Sequence, residues 1–343
     1  MTTQLDIKHP TQPAIGIQPT VTLLIPVYKG GAYWQECWQS VTPLAHKFDR
    51  ILVSFNYSEL QQQDLQVVEA DKPDNVEVIV QPQLLPTITA HLVSLIDHVD
   101  TDYIFFLCAD DWLLEAGLVE ALELLRNHGN QHISIVGSHE WYETTECYSI
   151  VTQHLSTFPQ GMQPPDYILM DMHSRFFIQL SGLITSTSSL RTCQPMMKMF
   201  STGWRLDDFV AAHPGINRLQ QSLQPSVRIR RHPGQVSQQG ALVRLSTVTD
   251  NVSYYLIQAF HSSEPLLISR AVEKVYRIWS QCQLIPHFLP AGWHILRLVL
   301  ASLTWQNCPG RLKTIGYLGL YAPQVFSGVF NQIVSRIRRR LSP

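Results

Sequence analysis

The stretch that decides the fold is DYIFFLCADDWLLEAG, residues 102–117. Its first half, YIFFLC at 103–108, is an apolar run of strand length, rich in aromatic residues and bounded by polar ones. It opens onto two adjacent aspartates, Asp110 and Asp111, and the sequence then changes period to LLEAGLVEALELLRNHG, 113–129, with the spacing of an amphipathic helix. A buried strand that ends on two carboxylates and runs into a helix is one unit of an α/β fold, and the carboxyl ends of parallel strands are where such sheets hold ligands.

The same unit recurs on either side. VTLLIPV (21–27) precedes AYWQECWQSV (32–41), in which Trp34, Cys37, Trp38 and Val41 fall on one helical face. RILVSFN (50–56) precedes ELQQQDLQVVEA (59–70), VEVIV (76–80) precedes ITAHLVSLIDHV (88–99), and ISIVG (133–137) adds a further strand. Near-continuous apolar strands alternating with helices predict a mostly parallel sheet covered on both faces.

Asp110 and Asp111 then fall just beyond a central strand. Adjacent carboxylates repel, and a divalent cation or a polar ligand relieves them; a hard ion such as Mg²⁺ or Mn²⁺ suits a site shared with substrate phosphates. The plainer alternative is that one aspartate caps a helix starting near Leu113.

The chain has 343 residues, 45% of them apolar and 15% charged, enough to bury a sizeable core and carry an appendage. Its six cysteines show no C-x-x-C spacing, which fits a reducing, cytoplasmic setting rather than a disulfide or zinc framework. Residues 1–19 read as a loose polar leader without a secretory pattern. The net charge of −2 is uneven: no Asp or Glu follows Glu273, whereas nine Lys and Arg do, which leaves −11 for residues 1–273. No P-loop, G-x-S-x-G, H-E-x-x-H or zinc pattern occurs.

Four separated pieces in order carry a family resemblance: TLLIPVYKGGAYWQECWQSV (22–41), DYIFFLCADDWLLEAGLVEALELL (102–125), SGLITSTSSLR (181–191) with GWRLDDFVAAHPG (203–215), and PSVRIRRHPGQVS (225–237). Together they resemble the inverting family 2 glycosyltransferases of GT-A type. That resemblance implies a nucleotide-diphospho-sugar-binding, mixed but mostly parallel sheet over residues 20–240, with a helical C-terminal region over 241–343. It implies transfer of a sugar from a nucleotide-sugar donor to a glycan or lipid-linked acceptor, in surface or extracellular polysaccharide synthesis, with Mn²⁺ or Mg²⁺ and no nucleic-acid partner.

Carried across, Pro26, Val27 and Tyr28 meet the nucleotide base, Asp110 faces ribose and diphosphate, and Asp111 meets the metal. Asp207 and Asp208 match the acidic pair that supplies the catalytic base, with Asp208 favoured. His232 matches a late metal or diphosphate contact, with Arg230 or Arg231 as a phosphate partner. The plainer alternatives are a rim aromatic for Tyr28, helix capping for Asp207 and Asp208, and a solvated basic turn for 230–232.

The sequence departs from the family at two positions. Asn56 stands near a base-reading Asp, where it either reads the base or merely closes a turn, and Cys108 replaces the first Asp of a D-x-D-D motif and is expected to pack rather than ligate. These departures keep open a degenerate nucleotide-binding or partner-binding protein without turnover. A sugar-phosphate nucleotidyltransferase is the other alternative, disfavoured by the lack of a Gly-rich, Lys-bearing loop after the first strand.

In the C-terminal region, Trp293, Trp305, Phe326 and Phe330 with Arg336, Arg338, Arg339 and Arg340 suggest an interfacial helix on an anionic membrane surface, placing the enzyme peripherally at the inner face. A helical cap or an oligomer interface is the alternative there.

Overall fold

The computed structural model describes residues 18–232, apart from 129–131, 145–148, 155–160, 174–177, 199, 201–204 and 214, together with 250, 254, 255, 257 and 258. The predicted units are present. Strand β1 (Val21–Val27) leads to helix α1 (Gly31–Val41), β2 (Arg50–Phe55) to α2 (Gln61–Glu69), and β3 (Val76–Val80) to α3 (Ile88–Ile96). Then come β4 (Tyr103–Phe106), a two-residue β5 (Trp112–Leu113) and α4 (Glu115–His128). The remainder is β6 (Ile133–Thr144), β7 (Ser149–His154), α5 (Pro164–His173), β8 (Leu183–Ser186), α6 (Thr187–Met197), α7 (Leu206–Ala212) and β9 (Arg218–Arg231).

The strands form one sheet in the order β3-β2-β1-β4-β8-β6-β9-β5, with β7 paired to β6. The first four are parallel, β8 is antiparallel to both β4 and β6, and β9 is parallel to β6. Alternate residues of each central strand enter opposite cores. Leu24, Leu52, Ile104 and Phe106 face a cluster built with α3, α6 and α7, whereas Leu23, Ile25, Val53 and Phe105 face one built with α1 and α4. Burial on both faces is why these strands read as unbroken apolar runs. Trp34, Cys37, Trp38 and Val41 are the buried face of α1, as their spacing implied. Truncating a fully buried aromatic such as Trp34 costs about 3–5 kcal/mol.

Two local expectations change. The helix after the aspartates starts at Glu115, because Trp112 and Leu113 first pair antiparallel with Arg228 and Val227 of β9. Strand β9 also begins well before the alternating Val227 and Ile229, through the polar Gln220, Gln221 and Ser222, all three buried. Such residues survive in a sheet when their polar atoms are paired; Gln220 Nε2 lies 2.8 Å from His128 Nε2, and the Ser222 carbonyl accepts from Ser138 Oγ at 2.5 Å.

Among the described residues no helix is long and apolar enough to cross a membrane. Tyr254, Tyr255 and Ile257 are helical and buried in the core. The proposed interfacial segment and its arginines lie outside the described residues.

Candidate active site

The chain places β2 and β3 on one side of β1 and then returns to place β4 on the other, so the sheet order reverses between β1 and β4. A crevice opens at the carboxyl ends of strands at such a point. The loops after β1, β2 and β4 meet there, and they carry Tyr28, Asn56 and the Cys108–Asp111 segment.

The first loop is held by a residue that no motif marks. Asp64, buried in α2, accepts the Gly30 amide at Oδ2 (3.0 Å) and the Gly31 amide at Oδ1 (2.8 Å), while its own carbonyl accepts Trp34 Nε1 (2.9 Å). The loop needs this support because Lys29 and Gly31 have φ of 52° and 54°, in the left-handed region that is unfavourable for Lys. Pro26 and Val27 are buried strand residues, so of the three expected base contacts only Tyr28, 49% exposed, offers its ring at the surface. Lys29 pairs with Glu59 at 2.8 Å and lies 5.5 Å from the Tyr28 ring centre. Asp64→Ala is expected to cost about 1.5–3 kcal/mol, the range for hydrogen bonds to a charged group. Urea denaturation should show the loss, and an unchanged midpoint would mean that the loop holds itself.

Asn56 is spent on a neighbouring loop. Its Nδ2 donates to the Leu85 carbonyl (2.9 Å), and its Oδ1 accepts both the Leu85 amide (2.8 Å) and the Tyr57 amide (3.0 Å). Both acceptor positions are filled and one amide hydrogen remains. These bonds close the turn after β2 against the Leu85 loop.

The acidic segment converges. Asp111 is 4% exposed; its Oδ2 accepts Ser181 Oγ (2.5 Å) and its Oδ1 the Arg230 amide (3.0 Å). Ser181 Oγ in turn accepts the Cys108 amide at 2.9 Å. Both Asp111 oxygens are thus held by partners outside α4, which sets aside the capping alternative for this residue. Burial, reinforced by the charge of Asp110, pushes the Asp111 carboxyl well above its usual range, and the backbone and Ser181 bonds offset this only in part. One ligand atom from each of Cys108, Asp110 and Asp111 lies within 4.8 Å of the others. A divalent cation would relieve the buried charge, and the donor set fits one. His232 stands outside this trio, with Nε2 3.0 Å from Asp110 Oδ2 and its ring tilted by 49° against that of Tyr33, the centroids 4.6 Å apart.

Arg230 acts as a brace. Its guanidinium lies 3.8 Å over Trp112 and 4.4 Å over Tyr33, donates to Glu36 Oε2 (2.5 Å) and, through Nε, to the Asp110 carbonyl (3.1 Å). It therefore ties α1, β9 and the acidic loop together. The Arg231 guanidinium lies 4.2 Å over the Trp141 ring.

Asp207 and Asp208 occupy the first turn of α7, and their surroundings differ. Asp208 is buried, accepts Tyr167 Oη at Oδ1 (2.7 Å) and pairs with Arg205 Nη1 at Oδ2 (2.7 Å). Arg205 has φ of 70° and donates from Nη2 to Tyr255 Oη (3.0 Å), which joins the pair to the region beyond residue 241. Asp207 is only partly covered. Burial and then the neighbouring Asp208 charge push its carboxyl up to about 7, against the pull of backbone amides and Arg205. The Leu180 amide is among the donors to Asp207, which sets this carboxylate next to Ser181.

A cleft of about 930 Å³ lies instead at the amino ends of β1–β3, lined by Arg50, Lys72, Glu77 and Asp100 among others, and contains none of these residues. Convergence of side chains, not cavity size, marks the site. Asp64, Ser181, Tyr167 and Arg205 are the supports that sequence reasoning left unassigned, although Ser181 and Arg205 lay inside quoted motifs.

Residues 22–182 match the family described as Glycosyl transferase family 2. No curated protein sequence matches the chain. Among solved structures, that of S. aureus TarS 1-349 in complex with UDP-GlcNAc is similar at 14% identity, with 93% of this chain and 92% of that chain covered and a TM-score of 0.55. The same protein in complex with UDP gives 11% identity, 87% and 86% coverage and a TM-score of 0.56. A third structure of TarS 1-349 gives 11% identity, 93% and 91% coverage and a TM-score of 0.57. At such identities the likeness is one of fold.

Proposed function

We propose that this protein, whose residues 22–182 match Glycosyl transferase family 2, transfers a sugar from a nucleoside-diphospho-sugar to an acceptor hydroxyl with inversion at the anomeric carbon. A uridine donor is favoured because the similar S. aureus TarS structures hold UDP-GlcNAc and UDP. The acceptor is a glycan or lipid-linked acceptor in surface or extracellular polysaccharide synthesis. One observation carries the reading: Cys108, Asp110 and Asp111 converge beside the β1–β4 crevice, and Asp207, a partly open carboxylate of raised proton affinity, accepts from the Leu180 amide next to the Ser181 that holds that loop.

In this mechanism Tyr28 supports the base by stacking and Asp110 faces the ribose and diphosphate. Asp111, with Asp110, would hold a divalent cation, which would supply Lewis-acid stabilisation to the departing diphosphate. Asp207 takes the proton of the acceptor hydroxyl as that oxygen attacks from the face opposite the leaving group. We place the base at Asp207 rather than at Asp208, the residue favoured on sequence grounds. Asp208 is already committed to Tyr167 and Arg205, whereas a carboxylate titrating near 7 matches the pH at which a general base works.

The test is thermal stability with UDP in the presence and absence of Mn²⁺ or Mg²⁺. A ligand at 100 times its Kd stabilises the native state by about 2.7 kcal/mol, so UDP with cation should raise Tm and UDP alone should not. Asp111→Ala should abolish the cation-dependent part. An identical shift in that variant would remove Asp111 from the site.

A further inference from the structure

We infer that the acidic centre is built for a thiophilic divalent cation, Zn²⁺ or a close analogue, with Cys108 Sγ as a ligand beside one oxygen each from Asp110 and Asp111. The inference deepens the donor reading above, on which it rests for a cation at this place, and it reverses the expectation that Cys108 merely packs.

Cys108 Sγ belongs to the same cluster as the two carboxylate oxygens, all within 4.8 Å of one another. Around a tetrahedral ion with bonds of about 2.0–2.3 Å, ligand atoms stand roughly 3.5 Å apart. Side-chain rotations of an ångström would therefore close the set.

The residues around the cluster hold it in the way metal ligands are held. Ser181 Oγ accepts the Cys108 amide and donates to Asp111 Oδ2, so one hydroxyl aligns the thiol-bearing and carboxylate-bearing ends of the loop. The Arg230 amide fixes the other Asp111 oxygen, and His232 supports Asp110 from outside. Such outer partners orient ligands, and as donors Ser181 and the Arg230 amide favour the ionised form of Asp111 that a cation needs.

Chemistry then selects the ion. Mg²⁺ requires near-octahedral oxygen coordination, to which a sulfur contributes nothing, whereas Zn²⁺ and Co²⁺ bond well to thiolate. As the sulfur–metal bond forms, the thiol proton passes to solvent. Two carboxylates and one thiolate also leave a fourth position open for a diphosphate oxygen, the arrangement of a substrate-binding rather than a closed structural centre.

Co²⁺ titration of the whole protein provides the test, since sulfur ligation gives a charge-transfer band in the near ultraviolet that oxygen ligation lacks. The wild-type protein should show this band, and Cys108→Ser should lose it. The same variant should bind Zn²⁺ at least about tenfold more weakly while binding Mg²⁺ unchanged, the lower end of the loss seen when metal-site partners are removed. Cys108→Asp should reverse the preference toward Mg²⁺. The inference is overturned if no band forms, if the band survives Cys108→Ser, or if wild-type protein binds Mg²⁺ as tightly as Zn²⁺. UDP binding, measured in parallel by calorimetry, separates the two readings. UDP that binds with Mg²⁺ but without a thiolate band sinks this inference alone; a thiolate band without UDP binding under any cation sinks the donor reading alone.

Discussion

Asp207→Asn is expected to lower sugar transfer by a factor of about 10² to 10⁴, the contribution of a general base, while UDP binding and stability are retained. The substitution keeps volume and hydrogen-bonding reach and removes only the ability to take a proton. Wild-type transfer should rise with pH and level off above about 7, where burial and Asp208 have placed the Asp207 carboxyl. The same shift has a sign in stability. From the ordinary carboxyl range up to about 7 the native state binds this proton more tightly than the unfolded chain does. This group's contribution is therefore greatest below the unfolded value and falls as pH rises through that window. Asp207→Asn should flatten that slope. Asp208→Ala should behave differently, since it strands the largely buried Arg205 and costs about 3–5 kcal/mol. Should Asp208→Asn lose transfer at unchanged stability while Asp207→Asn stays active, the two roles are exchanged.

The reason the sequence could not separate these two aspartates is a matter of distance along the chain. The groups that commit Asp208 are Tyr167, 41 residues away, and Arg205, itself held by Tyr255 50 residues further on. Adjacent aspartates at a helix start look alike until those partners are in place. Asp64 was hidden for a similar reason: QQQDLQ reads as a solvated helix, and only the fold brings the carboxylate against the Gly30 and Gly31 amides. Asn56 looked like a candidate ligand contact because the partner that consumes its amide, Leu85, sits on another loop.

What could be read locally was read well. Double-sided burial leaves an unbroken apolar run, so β1, β2 and β4 and the carboxyl-end position of Asp110 and Asp111 followed from pattern alone. Pattern fails where a buried strand is polar. The first half of β9 hides Gln220, Gln221 and Ser222 in the sheet, and nothing in their sequence distinguishes them from a surface loop.

That strand makes the second large effect, because β9 carries Arg230 into the acidic loop and is itself positioned by α4. Gly117 of α4 lies against β9 so closely that a Cβ there would stand 2.2 Å from the Pro225 carbonyl carbon and oxygen and 2.3 Å from the Ser226 nitrogen. These are backbone atoms and cannot rotate aside. They are also pinned on both flanks, since Leu114 donates to the Ser226 carbonyl (2.9 Å) and Glu120 accepts the Leu223 and Gln224 amides. Two effects of opposite sign compete in Gly117→Ala. Helix propensity alone favours alanine by about 1 kcal/mol. Overpacking typically costs about 1–3 kcal/mol, and more where backbone must move. With an overlap of more than an ångström against fixed atoms, the steric term should win, giving a net loss of about 2 kcal/mol in urea denaturation. The displacement should also travel: if β9 shifts, the Arg230 amide leaves Asp111 Oδ1, and cation-dependent stabilisation by UDP should weaken although no donor contact has been altered. Glu123→Ala, on the same helix, is the control for propensity. A stabilised Gly117→Ala protein with full UDP response would mean that α4 and β9 can separate freely, and that β9 is not what positions the acidic loop.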